Sequence, residues 1–269
     1  MYSPITAADA AQSTSLVRSK ACQGCRTGAP LTMAITMAFQ PIVDIESGAV
    51  FAYEALVRGA DGQSAGEVLA SVDADMIYKF DQMCRVKAIE LAGRLFPPDD
   101  ATKLSINFMP NAVYEPDACI RASLTAAHRV GLDPQRLMFE FTEDERMREA
   151  AHVRRIIEAY QARGFTTAID DFGAGYAGLG LLADLRPDML KLDMALIRGI
   201  DESAARRAIV AGVLGIADAI GVRCIAEGIE TAAELRTLKE IGIRLCQGYL
   251  LAHPATEVLP VIDRERLRT

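Results

Sequence analysis

The tightest constraint on this chain is a short gap. Two strand-like runs, "AFQPIVD" and "FAYEALVR", are separated by little more than "IESGA". Parallel neighbours need a crossover of a dozen or more residues, so these two runs are expected to form an antiparallel hairpin. The rest of the chain follows another rule. The runs "KLSINF", "LMFEF", "FTTAID", "MLKLD", "VRCIA" and "LCQGY" are mostly separated by helical segments such as "DQMCRVKAIELAGRLF" and "REAAHVRRIIEAYQARG". Eight strands with mostly helical crossovers predict an α/β fold, a modified TIM-type (β/α)8 barrel with an antiparallel first strand. Residues 1–35 are rich in Ala, Ser and Thr without a period and read as a flexible leader, leaving 36–269 as one domain.

In such a barrel the active site lies at the carboxyl ends of the strands. Those ends carry Glu54 and Arg58, Asn107, Glu140 with Glu143 nearby, Asp170 and Asp171, Lys191 and Asp193, Glu227 with Glu230 beyond it, and Gln247. Strand alternation sorts them. In "KLSINF", Leu104, Ile106 and Phe108 face the helices, so Ser105 and Asn107 point inward; Glu140 lies inward between Phe139 and Phe141, and Lys191 between Leu190 and Leu192. Several carboxylates in one mouth cannot all stay ionised without a counter-charge. A divalent cation, with Lys191 and Arg58 nearby, is the simplest one. The donors are oxygens, and His128, His152 and His253 have no paired spacing, so Mg²⁺ or Mn²⁺ fits better than structural zinc. Adjacent Asp170 and Asp171 can serve two ions, an arrangement typical of phosphoryl transfer.

The same region offers a competing reading. "GAGYAG", Gly173–Gly178, fits the dinucleotide fingerprint G-x-G-x-x-G between a strand and a helix, with Asp193 at about the expected distance of 20 residues. A pyrophosphate there would sit beside Asp170 and Asp171 and be repelled, and the other inward acids would have no purpose. The glycines are better read as letting the loop turn sharply beside metal ions.

The net charge of −7 makes the chain a poor nonspecific partner for nucleic-acid polymers, so a phosphate ester would have to be neutralised locally. The start of the chain lacks a signal-peptide pattern. The longest apolar stretch, "AIVAGVLGIADAIGV" (208–222), is broken by Asp218 and is short for a membrane span. Six scattered cysteines suggest reduced thiols and a cytoplasmic location. Cys22 and Cys25 in "CQGC" make half a zinc site with no second pair to complete it, and a tail with two thiols is the plainer reading.

The motifs "FQPI", "YEALVRG", "SINFMP", "FEFTE", "DDFGAGYAGL", "KLD", "AEGIE" and "CQGY", in this order, resemble the signature of the EAL-domain family, cyclic di-GMP phosphodiesterases built on a modified barrel. The resemblance covers about residues 36–260. It implies that Glu54, Asn107, Glu140 and Asp170 ligate one metal and that Asp170, Asp171 and Glu227 surround a second. It implies that Lys191 orients or deprotonates the attacking water, that Glu143 anchors the loop after the Asp pair, and that Gln40 and Arg58 contact the substrate. Glu230 and Gln247 match further site residues. Two Mg²⁺ or Mn²⁺ ions are implied as cofactors, with Ca²⁺ inhibitory because its looser shell misplaces the water. Cyclic di-GMP is the implied substrate, and a homodimer through the apolar run 203–220 the implied assembly. One departure is "GYAGL" (175–179) where the family often has "GYSSL"; it loses hydroxyls but no ligand.

Plainer readings compete for some residues. "TEDE" (142–145) and "TAAE" (231–234) read as capping boxes, so Glu143 and Glu230 can be helix-start acids. Asp193 can be a helix cap, and Arg58 can form a structural ion pair. At the level of function, the rival is an EAL-like receptor or interaction module that does not cut the nucleotide. Such receptors usually lose metal ligands, whereas this chain keeps each one that can be matched.

Overall fold

The structure, a computed structural model, describes residues 33–98, 100–109, 116–142, 150–174 and 179–268. β1 (Ile35–Asp44) and β2 (Ala49–Gly59) form the antiparallel hairpin, with Gln40 opposite Glu54. The hairpin turn is set by Asp44, whose carboxylate accepts from the backbone N–H groups of Glu46 and Ser47. β3 (Lys103–Phe108), β4 (Leu137–Thr142), β5 (Thr166–Phe172), β6 (Met189–Leu192), β7 (Arg223–Ala226) and β8 (Leu245–Cys246) follow β2 in parallel order. β1 runs antiparallel to both β2 and β8 and so closes the ring of eight strands; β9 (Ala255–Thr256) adds beside β1.

The helices are α1 (Ala65–Ala70), α2 (Ile77–Leu95), α3 (Pro116–Val130), α4 (Ala150–Gln161), α5 (Leu179–Leu185), α6 (Met194–Ile197), α7 (Ala204–Ala219) and α8 (Ala232–Ile241). Outward-facing strand residues bury against this layer. Phe108, Phe139, Phe141, Tyr160 and Phe165 form one edge-to-face aromatic group between the sheet and α4.

The interior is built in two layers. The lower holds Ile42, Ala52, Met138, Ala168, Met189, Ile225 and Leu245, a separate buried apolar cluster. Side chains two residues apart share a face. Two residues further toward the mouth stand Gln40, Glu54, Glu140, Asp170, Lys191, Glu227 and Gln247. On β1 the step runs backward in sequence, from Ile42 to Gln40, because that strand is reversed.

Two boundaries differ from the sequence reading. Ile35, the last residue of the expected leader, already belongs to β1; residues 1–32, with Cys22 and Cys25, lie outside the described residues. "LCQGY" is strand only at Leu245 and Cys246. Beyond it, Gln247 donates its N–H to Ala226 and accepts from the N–H of Ile229, and a Cβ at Gly248 would overlap the Ile229 backbone. The chain there packs against the "AEGIE" turn rather than continuing a ladder. Cys84, Cys224 and Cys246 are free, and no described helix is long and apolar enough to cross a membrane.

Candidate metal and nucleotide site

Lys191 organises the mouth. It is 1% exposed, and its ammonium lies 2.7 Å from Glu227, 2.8 Å from Glu140, 2.9 Å from Asp170 and 3.7 Å from Glu54. Burial disfavours its charge, but Asp170, Glu140, Glu227 and Glu54 together outweigh burial and hold its pKa well above the usual lysine value. Lys191 is therefore an ammonium in this setting.

One cation cannot neutralise so many acids. Burial, reinforced by Glu54 and Asp170 against the pull of Lys191, pushes the Glu140 pKa up to about 8. Glu227 is also raised, chiefly by burial and then by neighbouring acids. Asp171 is raised to about 6 by burial and by Asp170. The site has more carboxylate than its own base can balance, so it either holds protons or takes up cations.

Among the described residues, two carboxylate groups can each hold an ion: Glu54, Glu140 and Asp170, and Asp170, Asp171 and Glu227. Within each group the ligand oxygens lie within 4.8 Å of one another, and Asp170 is common to both. The backbone helps to create this double site. The β5–β6 register breaks between Ile169 and Phe172, and Asp171 adopts a left-handed φ of 55° with its N–H donating to Asp170. An Asp tolerates that conformation better than most residues, and the irregularity lets adjacent side chains share one cleft.

The first group is oriented by neutral donors. Ser105 donates to Glu140, Asn107 donates its amide to Glu54 at 3.2 Å, and Gln247 donates to Glu54 at 2.7 Å and to Gln40 at 3.2 Å. With the Asn107 nitrogen engaged, its amide oxygen is the atom able to meet a cation. Gln40 in turn donates to the Ala252 carbonyl. Gln40 and Gln247 line the cleft and also fix a candidate ligand, so they have partners within the protein before any substrate arrives.

The other sequence candidates are divided between the rim and the cleft wall. Arg58 shares a strand face with Glu54, but its guanidinium donates to the Val57 carbonyl and it does not line the cleft. Four residues of strand place it about 13 Å further out, on the rim. Asp193 lines the cleft and also caps α6, accepting from the Ala195 N–H. Glu230 lines the cleft and pairs with Arg198 through both carboxylate oxygens. The capping box expected at "TAAE" forms at the start of α8 between Thr231 and Glu234, next to Glu230. Glu143 and Gly175–Gly178 lie outside the described residues.

Among the lining residues missed in the sequence are Arg198, Met194 and Tyr249. Arg198 had no local signal, because its partner Glu230 is distant in sequence. Tyr249, half exposed and stacked on His253 at 4.3 Å, stood inside a quoted motif but was assigned no role. The cleft holds about 270 Å³ of water-accessible space, just under the usual range of small-molecule sites.

A family model described as "EAL domain" matches residues 30–254. The blue light- and temperature-regulated antirepressor BluF of Escherichia coli is 34% identical over 227 residues, 84% of this chain and 55% of BluF. The cyclic di-GMP phosphodiesterase PA2567 of Pseudomonas aeruginosa is 31% identical over 81% of this chain and 38% of its own. This chain thus spans about half or less of the length of these relatives. A standalone versatile EAL protein of Vibrio cholerae, solved with cyclic di-GMP bound, is 48% identical with a TM-score of 0.83, covering 88% of this chain and 99% of its own. Klebsiella pneumoniae BlrP1, solved as a manganese and cyclic di-GMP complex, is 35% identical with a TM-score of 0.78, over 85% of this chain and 58% of its own.

Proposed function

Because the chain belongs to the EAL domain family, we propose that it hydrolyses cyclic di-GMP to the linear dinucleotide pGpG in the cleft above Lys191. The observation that carries this reading is the sharing of Asp170 between two oxygen-ligand groups. The donor set fits hard divalent ions: it offers carboxylates and an amide oxygen, with an excess of negative charge. Glu54, Asn107, Glu140 and Asp170 would hold one ion, and Asp170, Asp171 and Glu227 the other. When bound, Mg²⁺ or Mn²⁺ supplies Lewis acidity to the phosphate and the attacking water.

The chain's own residues do the remaining work. Lys191, held as an ammonium, orients water by donating a hydrogen bond and stabilises negative charge as the phosphoester opens. The dry layer beneath it raises the strength of those interactions. Water adds at phosphorus, one P–O ester bond breaks, and the released ribose oxygen takes a proton. Gln40, Gln247 and Glu230 contact the nucleotide from the cleft wall, Arg58 meets it at the rim, and Glu143 steadies the loop that follows Asp171. The free thiols of Cys84, Cys224 and Cys246 favour a reducing, cytoplasmic setting. Ile209, Ile216 and Ile220, exposed along one side of α7 and just beyond it, supply the apolar surface for a homodimer. A monomer at all concentrations in sedimentation would remove that assembly.

The likeness to BluF favours one alternative, a non-hydrolytic binding module. Retention of both ligand groups and of Lys191 speaks for the enzyme. The deciding experiment incubates purified protein with cyclic di-GMP and Mg²⁺ or Mn²⁺ and separates products by chromatography. Appearance of pGpG supports hydrolysis; stoichiometric binding without product supports the receptor.

A further inference from the structure

We infer that Asp81 and Arg85, a buried ion pair on α2, are positioning residues for Asn107. This inference rests on the reading of Asn107 as a metal ligand. Neither residue lies in the cleft, and neither belongs to the motifs that identify the site.

Asn107 sits where its strand loses backbone support. The β2–β3 ladder ends at Ala55 and Ile106, and the β3–β4 ladder ends at Phe108 and Phe141. The next N–H, that of Met109, would have no ladder partner. Asp81 supplies one: its Oδ1 accepts from Met109 N at 3.2 Å. Arg85, one helical turn along, holds the same carboxylate at 3.0 Å and lies 4.8 Å from the centroid of the Phe108 ring. The pair therefore grips the backbone of residue 109 and the side chain of residue 108. Phe108 points out toward the helices and Asn107 points in, so fixing the former from outside fixes the direction of the latter.

The pair is poorly arranged for stability alone. Asp81 is 6% exposed and Arg85 3%, yet Arg85 Nε and Nη1 have no hydrogen-bond partner among the described residues. Buried ion pairs seldom improve stability over apolar residues of similar volume. What the pair offers that an apolar pair could not is an acceptor for Met109 N–H. Outer partners of this kind typically change metal affinity or activity 10–100-fold when removed.

The test compares neutral replacements of the whole pair. Asp81→Leu with Arg85→Met removes the acceptor without leaving a buried charge. Asp81→Asn with Arg85→Met keeps the acceptor oxygen. Calorimetric Mn²⁺ titration, Tm, and kcat and KM for cyclic di-GMP are measured on each. The first double variant is expected to match or exceed the parent Tm, lose about tenfold or more in Mn²⁺ affinity and in kcat, and keep its KM. The second is expected to recover most of the affinity. Parent-like Mn²⁺ affinity in the first variant overturns the inference, as does a loss in both variants that follows Tm. If Asp81→Leu with Arg85→Met does not fold, Asp81→Ala with Arg85→Met takes its place under the same criteria. Asn107→Ala separates the two levels. If it binds Mn²⁺ like the parent, the ligand reading falls and this inference with it; if it is impaired while Asp81→Leu with Arg85→Met is not, only the positioning role falls.

Discussion

The two layers inside the barrel lie two residues apart on the same strands and have opposite chemistry. Ile42, Ala52, Met138, Ala168, Met189, Ile225 and Leu245 contribute contacts and no charge. The layer above contributes Gln40, Glu54, Glu140, Asp170, Lys191, Glu227 and Gln247, bound to one another but with more acid than base. The lower layer can be optimised for packing. The upper one is held in place by it while keeping a charge imbalance that protons or metal ions can relieve. Stability and chemistry are thus divided across about 7 Å of strand.

The largest way to break this comparison is Asp170→Asn, which removes the carboxylate common to both ligand groups. Turnover should vanish with Mg²⁺ and with Mn²⁺, read as loss of pGpG by chromatography while the far-ultraviolet spectrum stays native. Residual turnover near the parent rate would mean that the two groups do not act as one centre. Next is exchange of Mg²⁺ for Ca²⁺, whose looser coordination should permit nucleotide binding but block product. Equal rates with both ions would remove the need for tight octahedral geometry.

The lower layer should respond in the other currency. Ile225→Ala, at a fully buried position, should cost roughly 2–5 kcal/mol in denaturant unfolding and leave turnover per folded molecule unchanged. A matching fall in kcat would show that the layers are not separable.

The remaining effect is in pH. In chelator, folded Glu140 and Asp171 have pKa values of about 8 and about 6, above their ordinary 4.5 and 3.8. Their contribution is fully present below the ordinary values and is lost as pH rises through the folded ones. Stability of the metal-free protein should therefore decline between about pH 4 and 8, by up to about 1.4 kcal/mol per pH unit for each proton retained. Mn²⁺ should reverse the trend, stabilising more at pH 8 than at pH 5. A flat profile in chelator would mean that the acids find other partners.

Much of the upper layer could be read from alternation alone. Ser105, Asn107, Glu140 and Lys191 each stand between aliphatic or aromatic residues, and that local pattern set their direction. Gln40 depended on the family resemblance: the short "IESGA" gap reversed its strand but did not say which of its residues reaches the site. What stayed hidden was long-range or conformational. The Arg198–Glu230 pair joins two mouth segments, the left-handed turn at Asp171 belongs to a register break, and the end of β8 is decided by Gly248 meeting Ile229. Arg58 stands on the rim, outside the cleft lining, and its distance was hidden for a simpler reason. Its parity is right, but parity does not say how far out along the strand a side chain stands.

The reversed first strand also decides where the polypeptide enters the barrel. In an all-parallel ring the first strand begins at the floor, remote from the catalytic opening. Here β1 descends from the opening to the floor, and Ile35, opposite Gly59, lies at the upper rim. Gln40 is only five positions on from Ile35, about 17 Å of extended chain. The described chain thus enters the barrel at Met33 beside the acidic opening. A fusion made directly at Met33 would be a neighbour of the opening by construction, whereas Leu267, near the other end, lies beside Gly48 in the hairpin turn at the floor.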